Sequence, residues 1–168
     1  EIEDIDLIAI AMPPFLQYDY VDLAIDAGKH ILCEKPFTLN GQQAEKLANK
    51  IEKTNLTGAV GYQMRFQPVR QTIKNILEGG DLGNIIHVNL SYEYSSRLKD
   101  NISWDWWSDK KMGGGVLNAM GSHQIDLFRW WFGEPEFVVG NLFTHNNSLF
   151  DPNSKSKKEV TSEEFVFC

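Results

Sequence analysis

The chain has 168 residues, of which 42% are hydrophobic and 23% charged, enough for one sizeable core and unlike a disordered segment. A formal charge of -7 and a pI near 5.1, with no basic stripe, argue against nucleic acid as a partner. No apolar run reaches the roughly 18 residues that span a membrane. The two cysteines, Cys33 and Cys168, have neither a CxxC nor a zinc-like Cys/His spacing, so no metal site is expected and a reducing, cytoplasmic setting is the default.

The pattern begins with an apolar strand over residues 5–10, ended by Ala11-Met12-Pro13-Pro14. Leu16, Tyr20, Leu23, Ala24 and Ala27 then recur at helical spacing, and Gly28 marks the helix end. A second buried strand covers residues 30–33. Asn40 and Gln43 have capping-box spacing at the start of a helix whose apolar face is Ala44, Leu47, Ala48 and Ile51. A third strand spans about Thr57 to Tyr62. Alternating strands and helices imply parallel pairing with right-handed crossovers, as in part of a doubly wound α/β sheet.

After Gln63-Met64-Arg65-Phe66 the pattern changes. Val69, Ile73, Ile76 and Leu77 mark a helix ending at Gly79-Gly80. An alternating strand follows, with Ile86, Val88, Leu90, Tyr92 and Tyr94 on its apolar face, typical of an open, largely antiparallel sheet in an α+β unit. A domain boundary is expected near residue 64, giving units 1–64 and 65–168. The polar loop from Ser96 to Lys111 carries Trp104, Trp106 and Trp107, read as anchors into the core in preference to a ligand platform. Gly113-Gly114-Gly115 opens a helix to about Phe132, apolar nearly all round and so expected to be buried, with Ala119, His123 and Asp126 on one face. Strands near 136–144 and 163–168 flank a polar stretch, Asn146 to Lys158, that reads as a mobile loop. The chain opens on Glu1 just before a strand and stops at Cys168 inside another, so a piece of a longer protein is expected.

Glu34-Lys35-Pro36 stands out. A buried strand, Ile31-Leu32-Cys33, ends abruptly in a carboxylate and an amine, at the edge where open α/β sheets place ligands. Proline holds Lys35 extended and allows a cis Lys35–Pro36 bond as a minority form. Two readings stand from spacing alone: a solvated strand-end turn, or a fixed lysine in a site. For His123 the residues alone favour a buried histidine bonded to Asp126.

Three segments together resemble the Gfo/Idh/MocA oxidoreductases: Ala27-Gly28-Lys29-His30 with Glu34-Lys35-Pro36; Gly61-Tyr62-Gln63-Met64-Arg65-Phe66-Gln67-Pro68; and Gly113-Gly114-Gly115 with Gly121-Ser122-His123-Gln124-Ile125-Asp126. The likeness runs from about residue 5 to 143. It implies a Rossmann domain for NAD or NADP followed by an α/β substrate domain, and oxidation of a secondary hydroxyl of a sugar or polyol. It further implies Lys35 and His123 as catalytic residues, and Met12, Pro13, Pro14, Glu34 and Lys35 beside the cofactor. Arg65, Asn118 and His123 are implied on the substrate side, and a homo-oligomer through the open sheet. The Gly-rich phosphate loop and ribose-binding acid belong upstream of Glu1, so these residues alone are expected to bind no dinucleotide tightly. Ala119 stands where the family often has an aspartate, and Gln17 where a histidine is frequent. Two other classes remain as alternatives: an NAD-dependent glycosidase of the same family, or a non-catalytic NAD(P)-binding regulator.

Overall fold

Alternating apolar runs and helices in the first third of the chain build the expected parallel sheet. The computed structural model describes residues 4–93, 97 and 102–168. Strands β1 (Leu7–Ile10), β2 (His30–Cys33) and β3 (Gly58–Val60) pair in parallel in that order, Leu7 opposite His30 and Ile31 opposite Gly58. Helix α1 (Pro14–Asp26) links the first two and α2 (Gly41–Ile51) the next two. Pro14 sits in the first turn of α1, where its missing N–H leaves no ladder bond unmade. Gly28, at φ +69, turns the chain out of α1. Asn40 caps α2 by accepting from the Gln43 N–H at 2.9 Å, but the Gln43 amide reaches one residue further back and accepts from Leu39 N–H at 3.1 Å.

The core of this unit is Ile10, Val21, Ala24, Ile25, Ile31, Cys33 and Leu47, with Met12 and Phe37 packed at its edge. Each fully buried aliphatic side chain contributes about 1.5–3 kcal/mol. Cys33 belongs to this core, and burial, aided by the Glu34 charge, pushes its thiol up to about 11.

A 3-10 turn at Gln63–Phe66 leads into α3 (Pro68–Gly79), which ends at the left-handed Gly80, φ +78. The alternating strand expected next is not formed between 84 and 93: these residues are not strand, and Ile86 is 97% exposed. Alternation gives a segment one apolar face, but a strand also requires a neighbour to bond. Tyr94 and part of the 96–111 loop lie outside the described residues.

The helix after the glycine run begins at Val116, as expected, but with an irregular first turn. Gly113 and Gly115 have positive φ, a wide π-helical turn covers Leu117–Gly121, and α4 is Ser122–Phe132. It is not buried all round: His123, Asp126 and Leu127 are buried, whereas Ile125 and Phe132 are exposed. The buried face packs towards the 3-10 turn at Gln63–Phe66, while Ile125 and Phe132 face outward.

Strands β4 (Asn141–Phe143) and β7 (Phe165–Phe167) pair antiparallel, Asn141 opposite Phe167. The polar stretch between them is a hairpin, not the mobile loop expected, with β5 (Ser148–Asp151) against β6 (Ser156–Glu159). Its turn is fixed by the Asp151 carboxylate, which accepts from Asn153 N–H and Ser154 Oγ–H, while Lys155 takes φ +53. Trp104 anchors the preceding loop to this hairpin: it is buried and its indole N–H donates to the Glu159 carbonyl at 2.9 Å. Trp107 lies under the Arg97 guanidinium, 4.7 Å from ring to carbon.

Candidate functional site

A parallel sheet delivers its strand ends to one edge, where open α/β sheets bind ligands. Three segments leave that edge here, Met12–Pro14 after β1, Glu34–Pro36 after β2 and Gly61–Tyr62 after β3. The Lys35–Pro36 bond is cis. Glu34 stays on the ladder through its N–H, which donates to the Ile10 carbonyl at 2.8 Å, and its side chain is exposed at the edge. A Cβ at Gly61 would lie at ordinary van der Waals distance from that carboxylate, 3.4 Å, so this part of the edge is bare backbone. Met12 packs against the core, and Pro14 is buried beneath Gly113, where a Cβ would approach its ring to 2.7 Å. Pro13 forms the N-cap of α1 without a side-chain bond.

Lys35 and His123 come together across 88 positions of sequence, from the strand edge and from α4. The Lys35 ammonium donates to the main-chain carbonyl of Ala119 at 2.6 Å, inside the π-helical turn. That widened turn is the kind of helix irregularity often found at functional sites. Burial lowers the Lys35 pKa below the ordinary lysine value, with the Glu34 charge opposing. His123 is 3% exposed and its Nδ1 has no hydrogen-bond partner. Burial first, then the Lys35 charge, hold its pKa below the usual histidine value, against the Glu34 and Asp126 carboxylates. The pair is therefore biased towards a neutral imidazole beside an amine that loses its proton more readily than a solvated lysine.

Asp126 does not bond to His123. It takes the Arg65 guanidinium in two bonds, 2.7 Å from Nε and 2.5 Å from Nη2, tying the turn after β3 to α4. Arg65 also lies 6.0 Å from the Trp130 ring. Asn118 donates to the Gly113 carbonyl at 3.2 Å and faces an open cleft of about 390 Å³ also lined by Pro36, Thr38, Tyr62 and Ser122. Asn118 precedes Ala119, whose carbonyl holds the Lys35 amine, and the cleft it lines also takes in Pro36 and Ser122, the chain neighbours of Lys35 and His123.

Three further residues lie at or support the candidate site: Tyr62 and Gln17, which the resemblance includes without a role, and Glu163, which no sequence signal marked. Tyr62 meets the His123 ring edge-on at 6.0 Å, and its hydroxyl pKa is raised by burial, then by Asp126, with Arg129 and Arg65 opposing. Its place next to Gly61 at a strand end was the available signal. Gln17 is fully buried and bonds both the Met12 and Glu34 carbonyls. Glu163 accepts from the Leu117 N–H at 2.9 Å, capping the helix that carries His123, and Gly115 leaves room for its carboxylate. Among the described residues no group of acidic, histidine or cysteine side chains is arranged to hold a metal, and no helix is long and apolar enough to cross a membrane.

Residues 1–62 match the family model for the NAD-binding Rossmann fold of the GFO/IDH/MocA oxidoreductases, and residues 70–166 match the GFO/IDH/MocA C-terminal domain. The chain belongs to the Gfo/Idh/MocA family. An uncharacterized oxidoreductase of Synechocystis sp. is 32% identical over 162 residues, 96% of this Gfo/Idh/MocA chain and 44% of the relative. The crystal structure of an NAD binding oxidoreductase from Klebsiella pneumoniae superposes with a TM-score of 0.90 at 26% identity, covering 98% of this chain and 44% of that one. Levoglucosan dehydrogenase, in complex with NADH and levoglucosan, gives 0.83 at 27% identity over 98% of this chain and 44% of that one. The chain thus spans less than half the length of the relatives it matches. These likenesses support the expected fold class, a Rossmann-type unit followed by an α+β unit.

Proposed function

We propose that the protein containing this chain is an NAD(P)-dependent oxidoreductase that moves a hydride between the cofactor and a secondary hydroxyl of a sugar or polyol. The observation that carries the reading is the Lys35 amine at the sheet edge, bonded to the Ala119 carbonyl in the turn that leads into the buried His123 and close enough for its charge to act on that imidazole. Similarity to a levoglucosan dehydrogenase crystallised with NADH supports the substrate and cofactor classes. The residues fit the nicotinamide end of such a cofactor: Met12–Pro14, Glu34 and Lys35 share one edge, and Gly61 keeps it free of a side chain. When bound, the cofactor supplies the hydride acceptor.

The chain's residues supply the proton chemistry. Loss of hydride from a carbinol carbon leaves a protonated carbonyl unless the hydroxyl proton departs. A neutral Lys35 amine keeps one N–H on the Ala119 carbonyl and turns its lone pair to that proton. His123, neutral, bonds the substrate oxygen through a ring nitrogen. Arg65 and Asn118 are assigned to substrate contacts. Domains 1–64 and 65–168, a cytoplasmic location and a homo-oligomer through the exposed apolar strands β4 and β7 belong to the same proposal. In the intact protein, Lys35→Met should lower turnover on a panel of sugars and polyols that includes levoglucosan by roughly 10²–10⁴-fold. Near-normal turnover would sink the assignment.

One observation favours a second reading, a non-catalytic NAD(P)-binding regulator: Ala119 offers the cleft no carboxylate. NAD(P)H binding by the intact protein without cofactor reduction across the panel would support it.

A further inference from the structure

We infer that Gln17 is a positioning residue that fixes the segment Glu34–Thr38, and with it the Lys35 amine, against helix α1. Its side chain is wholly buried on α1. The amide nitrogen donates to the Met12 carbonyl at 3.0 Å and to the Glu34 carbonyl at 2.9 Å. The amide oxygen accepts from the Thr38 N–H at 2.8 Å. Both donor protons are thus spent on the segments leaving β1 and β2, and the acceptor on the far end of the lysine loop.

The far end needs holding. Thr38 is buried with φ +61, a conformation that β-branched residues avoid. Its N–H points into the protein and finds its acceptor on Gln17, while its hydroxyl bonds the Phe37 and Asn40 carbonyls. Glu34 and Thr38 bracket Lys35, so the backbone is pinned one residue before the amine-bearing position and three after it. The amine itself is pinned by the Ala119 carbonyl. No other neutral side chain of this length carries two donors and an acceptor in one plane.

The inference rests on the reading of Lys35 as the proton-transfer group, and the test separates the two. In the intact protein, the pH midpoint for labelling of the Lys35 amine by trinitrobenzenesulfonate is measured with and without Gln17→Met, together with amide exchange of residues 34–38. The midpoint is expected to rise towards that of a solvated lysine. Thr38 amide exchange should quicken by about tenfold or more, while amides of β3 and α2 keep their protection. Turnover should fall by up to about 10²-fold, the effect of a misplaced catalytic group. A wild-type midpoint and wild-type Thr38 exchange overturn the inference. If Gln17→Met does not fold, Gln17→Asn keeps the amide and shortens its reach; the same shifts in smaller measure are expected, and wild-type values again overturn it. Full turnover by Lys35→Met would reject the functional reading of that lysine, while the labelling and exchange results still decide the clamp.

Discussion

Removing Arg65 should destabilise the protein more than removing Asp126, although they are the two ends of one ion pair. The Asp126 side chain is 8% exposed and the Arg65 side chain 37%. Arg65→Met strands a carboxylate inside the protein, and the neighbouring His123 is held neutral and supplies no compensating charge. Breaking a buried pair in this way costs about 3–5 kcal/mol, the lower end applying here because one partner reaches water. Asp126→Asn instead releases a guanidinium that can solvate or rest on Trp130, at a cost of about 1–2 kcal/mol. The expected difference of about 1.5 kcal/mol corresponds to roughly a tenfold change in the folding equilibrium. Urea unfolding of the intact protein measures both, and Arg65→Met/Asp126→Asn should lose less than the sum, with a coupling of about 1–3 kcal/mol. Equal losses below about 0.5 kcal/mol, or a larger loss from Asp126→Asn, would refute the argument from burial.

Gly115→Ala meets both a left-handed backbone, φ +105, and a steric clash with the Glu163 carboxylate, so the midpoint of thermal unfolding should drop by the equivalent of about 2–4 kcal/mol. Gly83→Ala, at φ +63 with nothing within 4 Å, is the control and should cost about 1 kcal/mol. His123 has a folded pKa below the ordinary 6.5, so below that pH the unfolded state binds the proton more readily and stability falls with acidification. His123→Phe should flatten the stability-versus-pH curve in that window relative to wild type; an unchanged slope would show that the imidazole is not held neutral by burial.

Much of the parallel sheet could be read from the chain because its determinants are local. The apolar run Ile31-Leu32-Cys33, the Asn40 and Gln43 cap and the turn glycines Gly28 and Gly80 each act within a few residues. The site was legible in part for the same reason, since Lys35 announces itself as a charge at the end of a buried strand. Its long-range bonds were not. Arg65 meets Asp126 across 61 positions, which no periodicity encodes. Helical spacing therefore points Asp126 to His123, whereas its partner, Arg65, comes from another element. Gln17 reads as a neutral residue in a helix pattern, because its importance lies in three main-chain groups brought to it by the fold. The 146–158 stretch is polar enough to read as a loop, and the hairpin there depends on bonds made by Trp104 and Asp151 that no local pattern encodes. The segment 84–93 shows the converse error, in which a strand-like pattern forms no strand.

The Lys35 amine is tethered to a peptide carbonyl, not to a side chain. A peptide carbonyl does not titrate in the physiological range, and no substitution at its own position removes it. Residue 119 is thereby released from anchoring duty: its side chain is free to change size or polarity while the amine stays moored. In evolutionary terms this separates the moored amine from the surface beside it, so that the neighbouring wall can drift between alanine and a polar residue without a compensating change at Lys35.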